Sequence, residues 1–209
     1  MKIAVVCANG KEGQLIVKEA QERGHEVTAV VRGENRSAAK NAIVKDLFDL
    51  TTSDLQDFDV VVNAFGAWTP ETIPQIAESE KHLADILEGT GVRFLMVGGA
   101  GSLFTNAEHT QTVDMGPDFP DDWKPLSASH GKALADLRGR TQLSWTYVSP
   151  ACDFQADGER TGRYLLGGEE LLVNERGESI ISYADYAIAM VDEAENAAHV
   201  NERIGVVRA

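Results

Sequence analysis

The chain has 209 residues, with 33 acidic and 19 basic side chains, and a formal net charge of -14 at neutral pH. Such an acidic surface repels phosphate backbones and anionic membranes, which argues against nucleic acid or a lipid surface as partner. It does not exclude an anionic cofactor, because helix N-termini and single arginines dominate at short range.

Hydrophobic content of 43% and charged content of 25% are those of an ordinary globular protein, long enough for one large α/β domain. No apolar run reaches the ~20 residues of a membrane span, and the first strand begins at once, without a signal-peptide layout. Cys7 and Cys152 have neither disulfide nor zinc spacing. No metal-ligand cluster emerges either, and a reducing cytoplasm is the expected compartment.

In chain order, Ile3 to Val6 is a β-branched run suited to a strand buried on both faces. Gly10 and Gly13 follow, then Leu15, Ile16, Val17 and Ala20 at helical spacing, with Gly24 closing the helix. Val27 to Val31 is a second buried strand. Strand, glycine turn, helix and strand in this order form the unit that binds dinucleotides. The turn Asn9-Gly10-Lys11-Glu12-Gly13 would hold the pyrophosphate on the N–H groups of the helix N-terminus. Cys7 stands where the first glycine of such a turn usually falls, and a side chain there is expected to keep φ negative.

Next come a short helical piece at Ala38 to Asn41, a brief strand at Ala42 to Val44 and a short helix at Thr51 to Leu55. A fourth strand at Phe58 to Asn63 is followed by a long helix from Pro70 to Gly89 and a fifth strand at Arg93 to Val97. Periodicity disappears from Phe104 to Lys124, an acidic and proline-containing surface excursion. A helix at Leu126 to Arg140, a sixth strand at Ser144 to Ser149 and a helix at Tyr183 to Ala194 follow. Between the last two lie short strand candidates at Tyr164 to Leu166, Leu171 to Val173 and Ser179 to Ser182. The end, Arg203 to Val207, adds an edge strand. The alternation predicts one α/β domain over residues 1–209, a doubly wound parallel sheet of strand order 3-2-1-4-5-6, with a small substrate-side extension at about 150–182.

The glycine turn, Asn63-Ala64-Phe65-Gly66, Gly98-Gly99-Ala100-Gly101-Ser102 and Trp145 to Pro150 together resemble a known family. Arg160 to Tyr164 and Ile181 to Asp185 extend the likeness over essentially the whole chain. The chain is similar to atypical short-chain dehydrogenases/reductases of the NmrA-like and flavin (biliverdin) reductase-like group, which implies a Rossmann-type fold and a nicotinamide cofactor. The end of the second strand carries Arg32 where an acidic residue would grip the ribose hydroxyls of NAD, so NADP is expected, with Arg36 assisting. The resemblance sets Asp46 and Leu47 beside the adenine, although Asp46 is equally suited to capping the next turn. Ala64, Phe65 and Gly66 would approach the ribose, and Ser149, Pro150 and Ala151 would line the nicotinamide.

The superfamily's Tyr-x-x-x-Lys proton relay is incomplete, for Lys132 holds the lysine place but the residue four earlier is Ala128. Lys132 is either a ribose contact or a solvent-facing helix lysine. Ser102 is the candidate for polarising an acceptor or else caps a turn, and His130 either lies near the cleft or is a structural or solvated helix histidine. Trp68, Phe104, Phe119, Trp123 and Phe154 fall on loops that would either surround a planar substrate or close onto the core. The expected activity is hydride transfer from NADPH to a small planar acceptor such as a flavin or quinone. The alternative is an NADP-binding redox-sensing regulator that turns nothing over, as the NmrA-like half of the resemblance allows.

Overall fold

The computed structural model describes residues 1–209. Its first unit is β1 (Lys2–Val6), α1 (Lys11–Glu22) and β2 (Glu26–Val31), followed by β3 (Asn41–Val44), α2 (Thr52–Leu55) and β4 (Val60–Asn63). The second half contains α3 (Gln75–Leu87), β5 (Arg93–Val97), α4 (Lys124–Gly139) and β6 (Ser144–Ser149). Then come β7 (Asp153–Gln155), β8 (Tyr164–Gly167), β9 (Ile180–Ser182), α5 (Tyr183–Asn196) and β10 (Glu202–Arg208).

Eight strands form one sheet in the order β3-β2-β1-β4-β5-β6-β10-β8, and β7 pairs with β9 in a separate two-stranded sheet. Every pairing is parallel except β10 with β8. The predicted order of the first six strands is therefore observed. β10 is not the edge strand expected, because β8 folds back antiparallel along its outer side.

Strand β1 shows why the sheet is covered on both faces. Ile3 and Val5 enter a core with Ile16, Val17 and Ala20 of α1 and Tyr186, Ala187 and Met190 of α5. Ala4 and Val6 enter the opposite core with Leu83 and Leu87 of α3 and Leu134 and Leu137 of α4. Period-two alternation thus feeds two layers of helices from one apolar run. Each fully buried Val, Leu or Ile contributes roughly 1.5–3 kcal/mol to this sandwich. No helix is long and apolar enough to cross a membrane.

Several local expectations differ from the structure, each for a local reason. The stretch Ala38 to Asn41 is not helical. The Asn35 side chain accepts from Ser37 N–H at 2.9 Å and donates to the Ala39 carbonyl at 2.8 Å, taking the groups a helix would use. Helix α3 starts at Gln75 rather than Pro70, since Pro74 has no N–H and is accommodated only at the helix start. Leu171 to Val173 forms no strand; Leu171 N–H is instead bound to the Phe104 carbonyl at 2.7 Å.

Candidate cofactor and acceptor site

The carboxyl ends of β1, β2, β4 and β5 open into a cavity of about 1090 Å3. Its middle is the turn between β1 and α1. Gly10 N–H is bound to the Cys7 carbonyl at 2.9 Å, and Gln14 N–H to the Gly10 carbonyl at 2.9 Å. Cys7 makes this turn with φ of +62°, in the left-handed region, contrary to the negative φ expected from sequence. Its thiol is largely enclosed, and burial pushes it up to about 11, so it is a poor nucleophile. The turn is stapled to the loop after β2 by Asn9, whose amide donates to the Glu34 carbonyl and whose Oδ1 accepts from Arg36 N–H.

Asn9, Gly10, Lys11 and Glu12 line this cavity, as do Arg32, Arg36, Asp46, Leu47, Ala64, Phe65 and Gly66. Gly13 lies just beneath it. A Cβ at that position would sit 2.7 Å from the Cys7 carbonyl oxygen, so only glycine lets α1 approach the turn this closely. The geometry fits a dinucleotide: free N–H groups at a helix start in mid-cavity, with the side chains of Arg32 and Arg36 at one end. Asp46 caps the turn after β3 by accepting from Phe48 N–H at 3.0 Å, while also facing the cavity. Asn63 Oδ1 accepts from Phe65 N–H at 3.0 Å and fixes the Ala64–Gly66 backbone.

A second, mostly apolar chamber of about 520 Å3 adjoins the first. Trp68, Phe119, Trp123 and Phe154 line it, together with Leu126, Pro150, Ala151 and Cys152. The aperiodic excursion after Phe104 is therefore not mere surface; Val113, Gly116 to Pro120 and Trp123 form one side of this chamber. The two cavities share Trp68, Gly98, His130, Phe154 and Tyr183.

Four residues lie elsewhere than expected. Ser102 lines neither cavity; its Oγ accepts from Arg203 Nη1 at 3.0 Å, on the far side of the β5 turn. Lys132 is exposed on α4 and also lines neither, as does Ala128. The chamber face of α4 carries Leu126, Ser127 and His130 instead. Ser149 is sealed in the core, and of its segment only Pro150 and Ala151 reach a cavity wall, that of the second chamber. Phe104 stacks on His109 at 4.3 Å, away from both cavities.

The residue that sequence reasoning undervalued is His130. Tyr147 Oη accepts from Gly99 N–H at 2.9 Å and lies 3.2 Å from His130 Nδ1. Burial lowers the imidazole to about 4, so the ring is neutral at pH 7. The glycines of the β5 turn serve this packing: a Cβ on Gly98 would meet Tyr147 at 2.3 Å, and one on Gly99 would meet His130 at 2.9 Å. The signal available in sequence was Gly98-Gly99 itself, which marks a close approach without naming what approaches.

The fold and the glycine turn define a dinucleotide-binding protein of the Rossmann class. A protein-family profile described as NAD(P)H-binding matches residues 7–197. The uncharacterized protein YwnB of Bacillus subtilis is 43% identical over 209 residues, covering 99% of this chain and 98% of the relative. A solved structure of a candidate NADH-flavin reductase from Streptococcus pneumoniae is 52% identical, with a TM-score of 0.97 and full coverage of both chains. One of a candidate epimerase from Bacteroides thetaiotaomicron is 34% identical, with a TM-score of 0.86, covering 99% of this chain and 96% of the other. The chain belongs to the NAD(P)H-binding family.

Proposed function

We propose that this protein is an NADPH-dependent oxidoreductase that delivers hydride to a planar aromatic acceptor, a flavin or a quinone. The observation that carries the reading is the shared wall of the two cavities, where His130, Phe154 and Tyr183 border both the dinucleotide cleft and the aromatic-lined chamber. The candidate flavin reductase at 52% identity supports the acceptor class.

The nicotinamide cofactor supplies the hydride; the chain supplies position, shielding and hydrogen bonds. The α1 N-terminus holds the diphosphate, and Arg32 with Arg36 receives the 2′-phosphate. Neither guanidinium is held by a carboxylate of the protein, so both remain available to the cavity they line. Trp68, Phe119 and Trp123 sandwich the acceptor and exclude water. With the Tyr147 proton directed to His130 Nδ1, the imidazole proton resides on Nε2 and serves as a neutral donor to the acceptor. A flavin or quinone takes its balancing proton from solvent, so the missing tyrosine of the usual relay is no obstacle.

The test is oxidation of NADPH and NADH, followed by absorbance, with FMN, FAD and quinones as acceptors. Acceptor-dependent oxidation, faster with NADPH, is the expected result. Tight NADPH binding without turnover on any acceptor would assign the protein to redox sensing instead.

A further inference from the structure

The two cavities differ in charge. Lys11, Arg32, Arg36 and Lys45 line the dinucleotide cleft, whereas no lysine or arginine lines the acceptor chamber. The charged residues of the chamber wall are Asp118 and Asp153. Both are exposed, so they flank the chamber where it meets solvent. Neither carboxylate is paired with a cation; that of Asp153 accepts only from the Gln155 amide, at 2.8 Å. Asp121 and Asp122 add to this acidic edge, for they lie between the lining residues Pro120 and Trp123. The one cation on that segment, Lys124, is held by Asp121 at 2.5 Å.

We propose that the chamber selects a planar ring without phosphate or any other anion, so that riboflavin or an uncharged quinone is its acceptor and FMN and FAD are rejected. This rests on the reductase reading, and it narrows the acceptor within that reading. A phosphate monoester carries a charge of about -1.5 to -2 at neutral pH. Drawn into the apolar interior, that charge would be buried without a partner. Left at the mouth, it would meet the like charges of Asp118 and Asp153. An uncharged ring meets neither penalty, so discrimination comes from repulsion as well as from fit.

The cations of the cleft cannot serve the acceptor. Lys45 is held by Asp54 at 2.7 Å, and Lys11 faces Asp157 at 3.7 Å. Arg32 and Arg36 belong to the cofactor's own phosphate in the reductase reading. The wall between the cavities supplies no charge either: Trp68, Gly98, Phe154 and Tyr183 are uncharged, and burial keeps His130 neutral. What the chamber does offer is the aromatic rings of Trp68, Phe119 and Trp123, with the Tyr183 phenol and the His130 imidazole as neutral polar groups. That set suits the face and the carbonyl oxygens of an uncharged ring.

The experiment compares riboflavin with FMN, which share one isoalloxazine ring and differ by the phosphate. Quenching of ring fluorescence by the NADP+-loaded protein gives affinity, and NADPH oxidation gives kcat/KM. Wild type should favour riboflavin about tenfold or more in both at low salt. The preference should shrink near 1 M salt, where the screening length is ~3 Å. Asp118→Asn combined with Asp153→Asn should narrow it severalfold. Glu26→Gln combined with Glu202→Gln makes the same change in net charge at the starts of β2 and β10, the opposite edge of the sheet, and should leave it unchanged. Naphthoquinone and its sulfonate, followed by quenching of tryptophan fluorescence, should show the same preference for the uncharged ring. FMN bound and used as well as riboflavin would overturn the inference and leave the reductase reading standing. So would an equal response of the two double variants. The wild-type comparison decides even if a variant misfolds. If no flavin or quinone is bound or reduced, the reductase reading itself falls, and this inference with it.

Discussion

The phenol oxygen of Tyr147 lies 3.2 Å from Nδ1 of His130, and together they tie the end of β6 to the chamber face of α4. This pairing positions the one imidazole that borders both cavities. Removing the phenol in Tyr147→Phe should leave NADPH affinity within about twofold and lower kcat with a flavin or quinone about tenfold, the scale of one neutral hydrogen bond. His130→Ala should lower kcat further. Steady-state kinetics with parallel binding titrations separate the two effects; equal losses in binding and turnover would mean a merely structural role.

Arg32→Ala should weaken NADPH binding by ~1–3 kcal/mol, as for loss of a charge-assisted contact, and leave NADH nearly unchanged. Fluorescence titration with both cofactors checks it. Equal weakening of both would place Arg32 outside the 2′-phosphate site.

The left-handed backbone at Cys7 decides how its replacements behave. Cys7→Gly relieves a strain of ~1–2 kcal/mol and forfeits about 1 kcal/mol through the freer unfolded chain, so stability should stay within about 1 kcal/mol. Cys7→Val should destabilise by ~2 kcal/mol or more, because a β-branched side chain resists positive φ. Chemical denaturation of both variants measures the difference, and slow labelling of Cys7 by a thiol reagent is expected alongside.

Gly13→Ala would drive a methyl group to 2.7 Å from the Cys7 carbonyl, a contact with backbone that no rotamer relieves. The turn must move away from α1, and cofactor binding should fall by at least an order of magnitude. A circular dichroism spectrum like that of wild type, with binding lost, is the expected pair of results.

Two buried groups give opposite pH dependences. His130 is lowered from 6.5 to about 4, so the unfolded chain takes up its proton first and stability falls as pH drops through that window. Glu80, fully buried on α3 with no partner for its carboxylate, is raised from 4.5 to about 8, mainly by burial. The unfolded chain loses that proton first, so stability falls as pH rises from 4.5 to about 8. Glu80→Gln should therefore gain stability over wild type at pH 8 and little below pH 5, as read from urea midpoints.

The order of the first six strands was legible because each strand is a continuous apolar run bounded by turn residues, and Gly10 and Gly13 mark their turn by spacing alone. Arg32 was legible in the same way, since the end of β2 always faces the same part of such a cleft. These are local statements about neighbours in sequence. Ala128 and Lys132 show where they stop. Successive residues of a helix turn by about 100°, so an error of one or two positions in facing exchanges the exposed side for the buried one. The rotation of α4 is decided by Leu134 and Leu137 seating in the core beneath it, which brings Leu126, Ser127 and His130 to the chamber. Sequence by itself determined a dinucleotide fold with its glycine turn and the place of Arg32 on the cavity wall. Only the tertiary structure decided the second chamber, the His130–Tyr147 pair and the sealed carboxyl of Glu80, because each depends on surfaces that are distant in the chain and meet only when the core packs.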